Sequence, residues 1–425
     1  MASRSHNSPA ESAISSSDPM VAGADQIPQQ ERLNSALWRL ALPGFCASLV
    51  SIGLARFAYT PLLPALVGHG WFAAGTAAYL GATNLAGYLI GVLGAHAAAG
   101  RLTARWVIRG ATAVASISLL ACALQLGTAW FFAWRTLSGV AGGLVMVLAA
   151  PTIIVHVPPA RRGLVTGGIF VGIGFGIALS GTLVPLLISV GLVQTWAVLG
   201  GIAAFFTLLG WTGWRPALAV PPSALRRSRS SPLQLRGLYL AYGLNALGLV
   251  PHMLFLADFI ARGLHQGFAS AAAYWTLFGM GALLGPIVAG HAVDRWSARA
   301  TLIGALILQS LSVALPAFGS SALLLICSSA LVGACTIGIA PIVLGRTHEI
   351  LRHHPAAQAG AWRKATASFA IFQATGAYGM SLIYNWSGGD YRLLFGLGAA
   401  ALAVAAVLAI LAGSRRGSEV QGRTA

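Results

Sequence analysis

Twelve stretches of the chain are each about twenty residues or longer and nearly free of charge. They run over 36–67, 73–99, 104–126, 129–157, 162–190, 193–214, 235–262, 268–293, 298–317, 319–350, 361–387 and 391–413. A bilayer's hydrocarbon core takes about 20 helical residues to cross. Within it every backbone N–H and C=O must find a partner in the protein, so apolar stretches of this length become helices. The chain has 425 residues, of which 57% are hydrophobic and 8% charged. A soluble chain carries about 25% charged residues. The expected fold class is an all-α polytopic membrane protein of twelve transmembrane helices in two six-helix halves.

The formal net charge is +17. Nucleic acid is excluded as its partner, because the arginines fall in the short gaps between apolar stretches. The even-numbered gaps and the stretch ends beside them hold Arg101, Arg105, Arg109, Arg161, Arg162, Arg295, Arg299, Arg346, Arg352, Arg363 and Lys364, along with a run from Arg215 to Arg236. The odd-numbered gaps and the ends beside them hold only Arg262 and Arg392. Loops rich in Lys and Arg stay on the cytoplasmic side. The even gaps and both termini are therefore expected in the cytoplasm, with the protein integral to the cell (inner) membrane. Residues 215–234 are polar and basic and read as a cytoplasmic linker. They separate an N-terminal half, 36–214, from a C-terminal half, 235–413. Residues 1–35 are rich in Ser, Gln and Pro with no apolar core, and read as a disordered cytoplasmic tail without a cleavable signal peptide. Residues 414–425 read as a second cytoplasmic tail.

Chemistry-bearing clusters are scarce. Cys46, Cys122, Cys327 and Cys335 all lie in apolar stretches and read as small hydrophobes. No metal site or cofactor is expected. The sole His pair, His353-His354, lies beside Pro355 in a gap, and no Gly-x-x-x-x-Gly-Lys loop is present. The chain is therefore not read as an enzyme or a nucleotide-driven pump.

One charge breaks the first stretch. Arg56 lies about ten residues before its far end, or roughly 15 Å along a helix, near the bilayer centre. A cation at that depth is costly unless it faces protein or water. Residues 36–214 contain no Asp or Glu. Pro61 and Pro64 follow Arg56, and each removes a backbone donor. The first stretch is thus expected to wall a polar cavity between helices. Tyr59, Asn84, Tyr88, Asn245, His252 and Gln373 are the other polar residues at mid-depth. His252 reads either as a hydrogen-bonded packing residue or as cavity lining, and Asn or Gln alone is commonly glue between helices. Arg56, Tyr59, Asn84, His252 and Gln373 are taken as candidate substrate contacts, with Arg56 favouring an anionic substrate. Of the acidic residues only Asp258, Asp294, Glu349 and Asp390 fall in the membrane part, and none is placed clearly at the midplane.

The halves also resemble one another. Gly87, Gly91, Arg101 and Arg105 correspond to Gly281, Gly285, Arg295 and Arg299 at one constant offset. Gly290-His-Ala-Val-Asp294-Arg295-Trp-Ser-Ala-Arg299 resembles the loop signature of the major facilitator superfamily. The first half has Gly100 where the second has Asp294. Arg135-Thr-Leu-Ser-Gly139-Val-Ala-Gly142-Gly143 resembles the superfamily's fourth-helix pattern. Arg135 lies about two turns from the outer face, so it reads either as a snorkelling residue or as part of a gate. The run Arg56-Phe-Ala-Tyr-Thr-Pro-Leu-Leu-Pro64, with Tyr79 to Tyr88, is similar to the YbfB/YjiJ branch. The resemblance covers roughly 36–413. It implies a secondary transporter that moves a small molecule by alternating access, with a proton as the candidate coupling ion and one chain as the working unit. Asp294, Arg295, Arg299 and Arg135 are the implied gate residues. The fifth stretch is glycine-rich, from Gly167 to Gly181. It reads as a sliding surface or as plain close packing. It lacks the Gly-Pro signature of drug/proton antiporters, an alternative class of efflux pump. A non-transporting receptor or scaffold is the other alternative, but no sizeable soluble domain is present for it.

The orientation is testable in intact cells. Gly68→Cys and Gly191→Cys are expected to react with an impermeant thiol reagent added outside, and Ser228→Cys is not. Labelling at position 228 overturns the orientation.

Overall fold

The computed structural model describes residues 38–158, 161–214, 233–352 and 354–414. The expected tail 1–35, most of the linker (215–232) and the residues after 414 lie outside the described residues. Twelve long helices follow one another: α1 Trp38–Gly68, α2 Ala74–Leu102, α3 Ala104–Ala121, α4 Thr128–Ile154, α5 Arg162–Ile188 and α6 Leu192–Gly210. Then come α7 Leu233–Gly263, α8 Gly267–Trp296, α9 Ala298–Phe318, α10 Ala322–Ile350, α11 Pro355–Trp386 and α12 Tyr391–Ser414. No strand occurs among the described residues. Ten of the twelve are long and apolar enough to cross a membrane unaided. The other two are α3, with Arg105 and Arg109 in its first turns, and α11, rich in Ser, Thr, Gln and Tyr. Leu186, Leu208 and Val288 are among many large apolar side chains exposed on the outside of the bundle, the surface that acyl chains solvate.

Two cores lie side by side. One is built from the first six helices and takes in Ala370 of α11. The other is built from the last six and takes in Ile52, Phe57, Ala82, Phe170 and Ile173 from the first. Helices of the two sets touch most closely where α5 packs on α8 and α2 on α11.

Glycine decides how close the helices come. At Gly87 an added Cβ would collide with the carbonyl of Thr136, and at Gly281 with the carbonyl of Ala330. At Gly139 it would collide with the carbonyl of Asn84, and at Gly333 with that of Phe278. The second member of each pair follows the first by 194 residues (281 less 87, 330 less 136, 333 less 139, 278 less 84). The α2–α4 and α8–α10 interfaces are therefore the same interface built twice. The glycines of α5 divide between two neighbours: Gly172 and Gly176 meet α1, while Gly174 and Gly181 meet α8. Small residues drive such contacts in lipid, where there is no hydrophobic force between helices.

Helices α1 and α7 are the irregular ones. In α1, residues Leu49–Leu54 form a π-helical turn, where Ala55 N–H reaches Val50 O and Phe57 N–H reaches Ile52 O. Pro61 has no N–H to offer Phe57 O, which accepts from Thr60 N–H instead. In α7, Pro251–Phe255 and Phe259–Gly263 are π-helical. The two breaks are tied together, because the Thr60 hydroxyl donates to the Met253 carbonyl.

Gly139→Ala and Gly333→Ala must each push two backbones apart. Each is expected to cost about 1–3 kcal/mol of stability, read as a lower melting midpoint in detergent. Gly94→Ala and Gly290→Ala, which meet open space, are expected to leave the midpoint level or slightly raised.

Candidate functional site

The unwound middle of α1 sets the site. Its first consequence is a carbonyl freed for use by a side chain: Ala55 O accepts from Arg135 Nη1 of α4 at 2.6 Å. Arg135 is 2% exposed and lies 4.4 Å over the Tyr59 ring. Of the two readings left open for Arg135, the structure excludes snorkelling. Its side chain turns inward because α1 presents an acceptor and an aromatic face there, and a charge-assisted bond in a dry interior outweighs the reach to the surface. Arg56 and Arg135 are thus both buried in the first half. Asn84 belongs to the same knot, donating from Nδ2 to Ser138 Oγ at 2.7 Å and to Arg135 O at 3.1 Å. The Tyr59 hydroxyl donates to Ala77 O of α2 at 2.7 Å. Tyr59 and Asn84 therefore bind helices to one another rather than facing open space.

Arg56 points the other way. It lies in a cavity of about 50 Å³ walled by α1, α2, α4, α5, α7, α10 and α11. Its guanidinium is 4.7 Å from the Tyr88 ring and 5.3 Å from the Phe57 ring, and Nη2 is 3.8 Å from Met253 Sδ. Gln373 of α11 reaches the same sulfur, with Nε2 at 3.2 Å. Tyr242, Leu249, Thr336, Ile337 and Phe369 complete the far wall, and Met146, Phe170 and Ile173 the near one. Two buried polar atoms here have no hydrogen-bond partner, Arg56 Nε and Gln373 Oε1. No acidic side chain lines the cavity or pairs with Arg56 among the described residues. The volume holds a few waters at ~10–15 Å³ each, and is well under the ~300 Å³ of a typical ligand pocket. A substrate larger than a few waters needs a wider cavity than this one.

His252 is not in the cavity. Its Nε2 lies 2.7 Å from Ser328 Oγ of α10, and its ring meets Phe395 of α12 edge-on at 5.1 Å. The expectation that it lines the same space as Arg56 is corrected: the π turn at Pro251–Phe255 turns it toward α10 and α12, into the second core. Asn245 is also packed away, donating to Gln309 Oε1 at 2.5 Å.

The end of the bundle at the α8–α9 turn carries the expected gate. The backbone of Asp294 is the last stretch of α8, while its side chain lies outside the described residues. Arg295 is exposed, and Arg299 donates from Nη2 to Ile410 O at 3.0 Å. Glu349, to which the sequence assigned no role, accepts through its carboxylate from Ala298 N–H at 3.2 Å and pairs with Arg346 at 2.8 Å. It caps the first turn of α9, where backbone N–H groups lack partners. At the opposite end of the bundle, Asp258 of α7 is 1% exposed and held by Arg262 through both oxygens at 2.5 Å. The Tyr391 hydroxyl also donates to it, at 2.6 Å. The four-residue spacing of Asp258 and Arg262 was the available signal for this pair.

A buried cation thus faces a cavity between two sets of six helices. The chain belongs to the major facilitator superfamily: residues 48–410 match the family described as "Uncharacterised MFS-type transporter YbfB". No curated protein matches the sequence. Among solved structures, the fold resembles the partially occluded inward-open xylose transporter XylE from E. coli, with a TM-score of 0.69 at 16% identity over 88% of this chain and 97% of that one. A D-xylose-proton symporter gives 0.68 at 16% identity over 88% and 97%. A bacterial homolog of the human lysosomal transporter Spinster, inward-facing and occupied, gives 0.65 at 16% identity over 89% and 96%. At these identities the likeness is one of fold.

Arg135→Gln removes the charged donor to Ala55 O. It is expected to cost about 2–3 kcal/mol, seen as a lower melting midpoint in detergent. Arg56→Gln, whose guanidinium has no acidic partner to strand, is expected to leave the midpoint nearly unchanged.

Proposed function

We propose that this member of the superfamily is a secondary transporter that carries a small anionic molecule by alternating access, with Arg56 as its charge contact. The observation that carries the reading is the partnership of Arg56. Its guanidinium faces the cavity between the helix sets, 9% exposed, with Nε unpartnered and no carboxylate beside it. A cation held at depth without a counter-charge is costly, and an anionic substrate supplies the missing partner. Arg135 does not line the cavity; it donates to Ala55 O and covers the Tyr59 ring, with its Nε unpartnered, and is assigned to the frame and not to the substrate. Gln373, which shares Met253 Sδ with Arg56, is assigned as the second contact. Asp294, Arg295 and Arg299 at the α8–α9 turn are assigned to the cytoplasmic gate, in keeping with the arginine-rich even gaps. The same asymmetry supports a cell-membrane protein with both termini inside. One chain encloses the whole cavity, which supports a monomer as the working unit.

The test is uptake into proteoliposomes from a panel of small anions, with and without an imposed pH gradient, which also reads out proton coupling. Arg56→Gln is expected to lower uptake at least about tenfold, the worth of ~1.4 kcal/mol. Arg56→Lys keeps the charge but loses the planar two-donor fork, and is expected to raise the apparent KM several-fold. Normal uptake by Arg56→Gln removes the residue from the substrate site.

A further inference from the structure

We infer that the cavity takes a monocarboxylate with an apolar body and a hydrogen-bond donor close to the carboxylate, a 2-hydroxy acid with a hydrophobic side chain being the simplest form. This rests on the reading of Arg56 as an anion contact and goes on to specify the anion.

The charge count comes first. Arg56 is the one charged residue among those lining the cavity, and Arg135 is turned away to Ala55 O. A single carboxylate is matched by a single guanidinium. A second carboxylate, or a phosphate dianion, would lie among Phe57, Phe170 and Ile337 with no cation to meet it.

The walls come second. Ile52, Ile173 and Leu249 belong to the same mainly apolar lining as those three. A polyhydroxylated ligand needs a partner for each hydroxyl, since a buried one left unpaired is penalised. Besides Gln373 the lining offers the hydroxyls of Tyr88 and Tyr242, because the Thr336 hydroxyl already donates to Val332 O within its own helix at 2.6 Å. An aliphatic or aromatic body suits this mainly apolar surface better than a sugar, whose hydroxyls outnumber these partners.

The orphaned atoms come third, and they have opposite sense. Arg56 Nε is a donor and Gln373 Oε1 an acceptor, and both are buried without partners. Gln373 is 1% exposed and its amide nitrogen is already directed at Met253 Sδ. The Arg56 and Gln373 side chains reach that one sulfur at 3.8 and 3.2 Å, so a single small ligand spans both. A carboxylate satisfies Arg56 and leaves Gln373 Oε1 without a donor. A hydroxyl beside the carboxylate answers both, and Gln373 then selects for it.

The experiment is thermal stabilisation of the purified full chain in detergent. Its probes are 3-phenyllactate, 3-phenylpropanoate, succinate, inorganic phosphate and xylose. Phenyllactate is expected to raise the midpoint saturably, and phenylpropanoate to do so with about tenfold weaker affinity. Gln373→Leu is expected to erase that difference while still binding phenylpropanoate, and Arg56→Gln to abolish both responses. The midpoints of the ligand-free variants show whether each is folded, and Gln373→Asn serves as the amide-retaining control. If succinate or phosphate stabilises the protein through Arg56 as well as phenyllactate does, the anion site stands and the monocarboxylate assignment falls. If xylose stabilises it equally in the wild type and in Arg56→Gln, both readings fall. Equal affinity for the two aromatic acids overturns the role of Gln373. No response to either aromatic acid up to its solubility limit overturns the assignment outright.

Discussion

The bond from Arg135 to the carbonyl of Ala55 is the contact on which the first half depends. A helix that unwinds in a membrane exposes carbonyls that water cannot reach, and the structure tolerates this only where protein supplies donors. Arg135 supplies one and covers Tyr59 with the same guanidinium. With that carbonyl satisfied, α1 can hold a π turn at Leu49–Leu54. The π turn in turn sets which way Arg56 faces. Asn84 closes the arrangement from α2, taking both the backbone of Arg135 and the hydroxyl of Ser138. Each polar residue of this group meets a need created by another.

Around that knot the frame is made of close-packed glycine interfaces. The α2–α4 contact and its copy, α8–α10, bring backbones together where a methyl group would not fit. Such interfaces behave as rigid units, because moving them means breaking many contacts at once. The irregular helices α1 and α7 lie between them. They are joined by Thr60 to Met253, with the cavity directly beside that joint. Regular packing outside and a broken pair inside is an arrangement in which the pair can change shape while the frame keeps its own.

Much of this was legible in the sequence, and the reason is physical. Bilayer thickness fixes the length of an apolar run, so the twelve helices could be read almost to their ends. That Arg56 faces a cavity between helices was legible because a charge at mid-depth has few affordable explanations, but the cavity expected to be polar is lined mainly by apolar side chains. Arg135 was read less well. Depth was counted along the chain, which put it near the outer surface, whereas its burial is decided by α1 and α2 packing over it. His252 failed for a different reason. Its depth says nothing of which way it faces, and the π turn at Pro251–Phe255 breaks the regular count of faces between Asn245 and Asp258. Nothing in the local sequence marks a π turn firmly enough to correct for it. The Glu349 cap on α9 was hidden because its partner is a backbone N–H 51 residues earlier in the chain.

The pairing of α1 with α4 also bears on how the protein is made. Arg135 lies 80 residues after the carbonyl it satisfies, so α1 leaves the ribosome with its polar centre unanswered. Until α4 follows, a lone α1 in lipid holds both a bare guanidinium at Arg56 and an open carbonyl at Ala55. A carbonyl answered only from 80 residues further along thus ties the comfort of α1 in acyl chains to the arrival of α4.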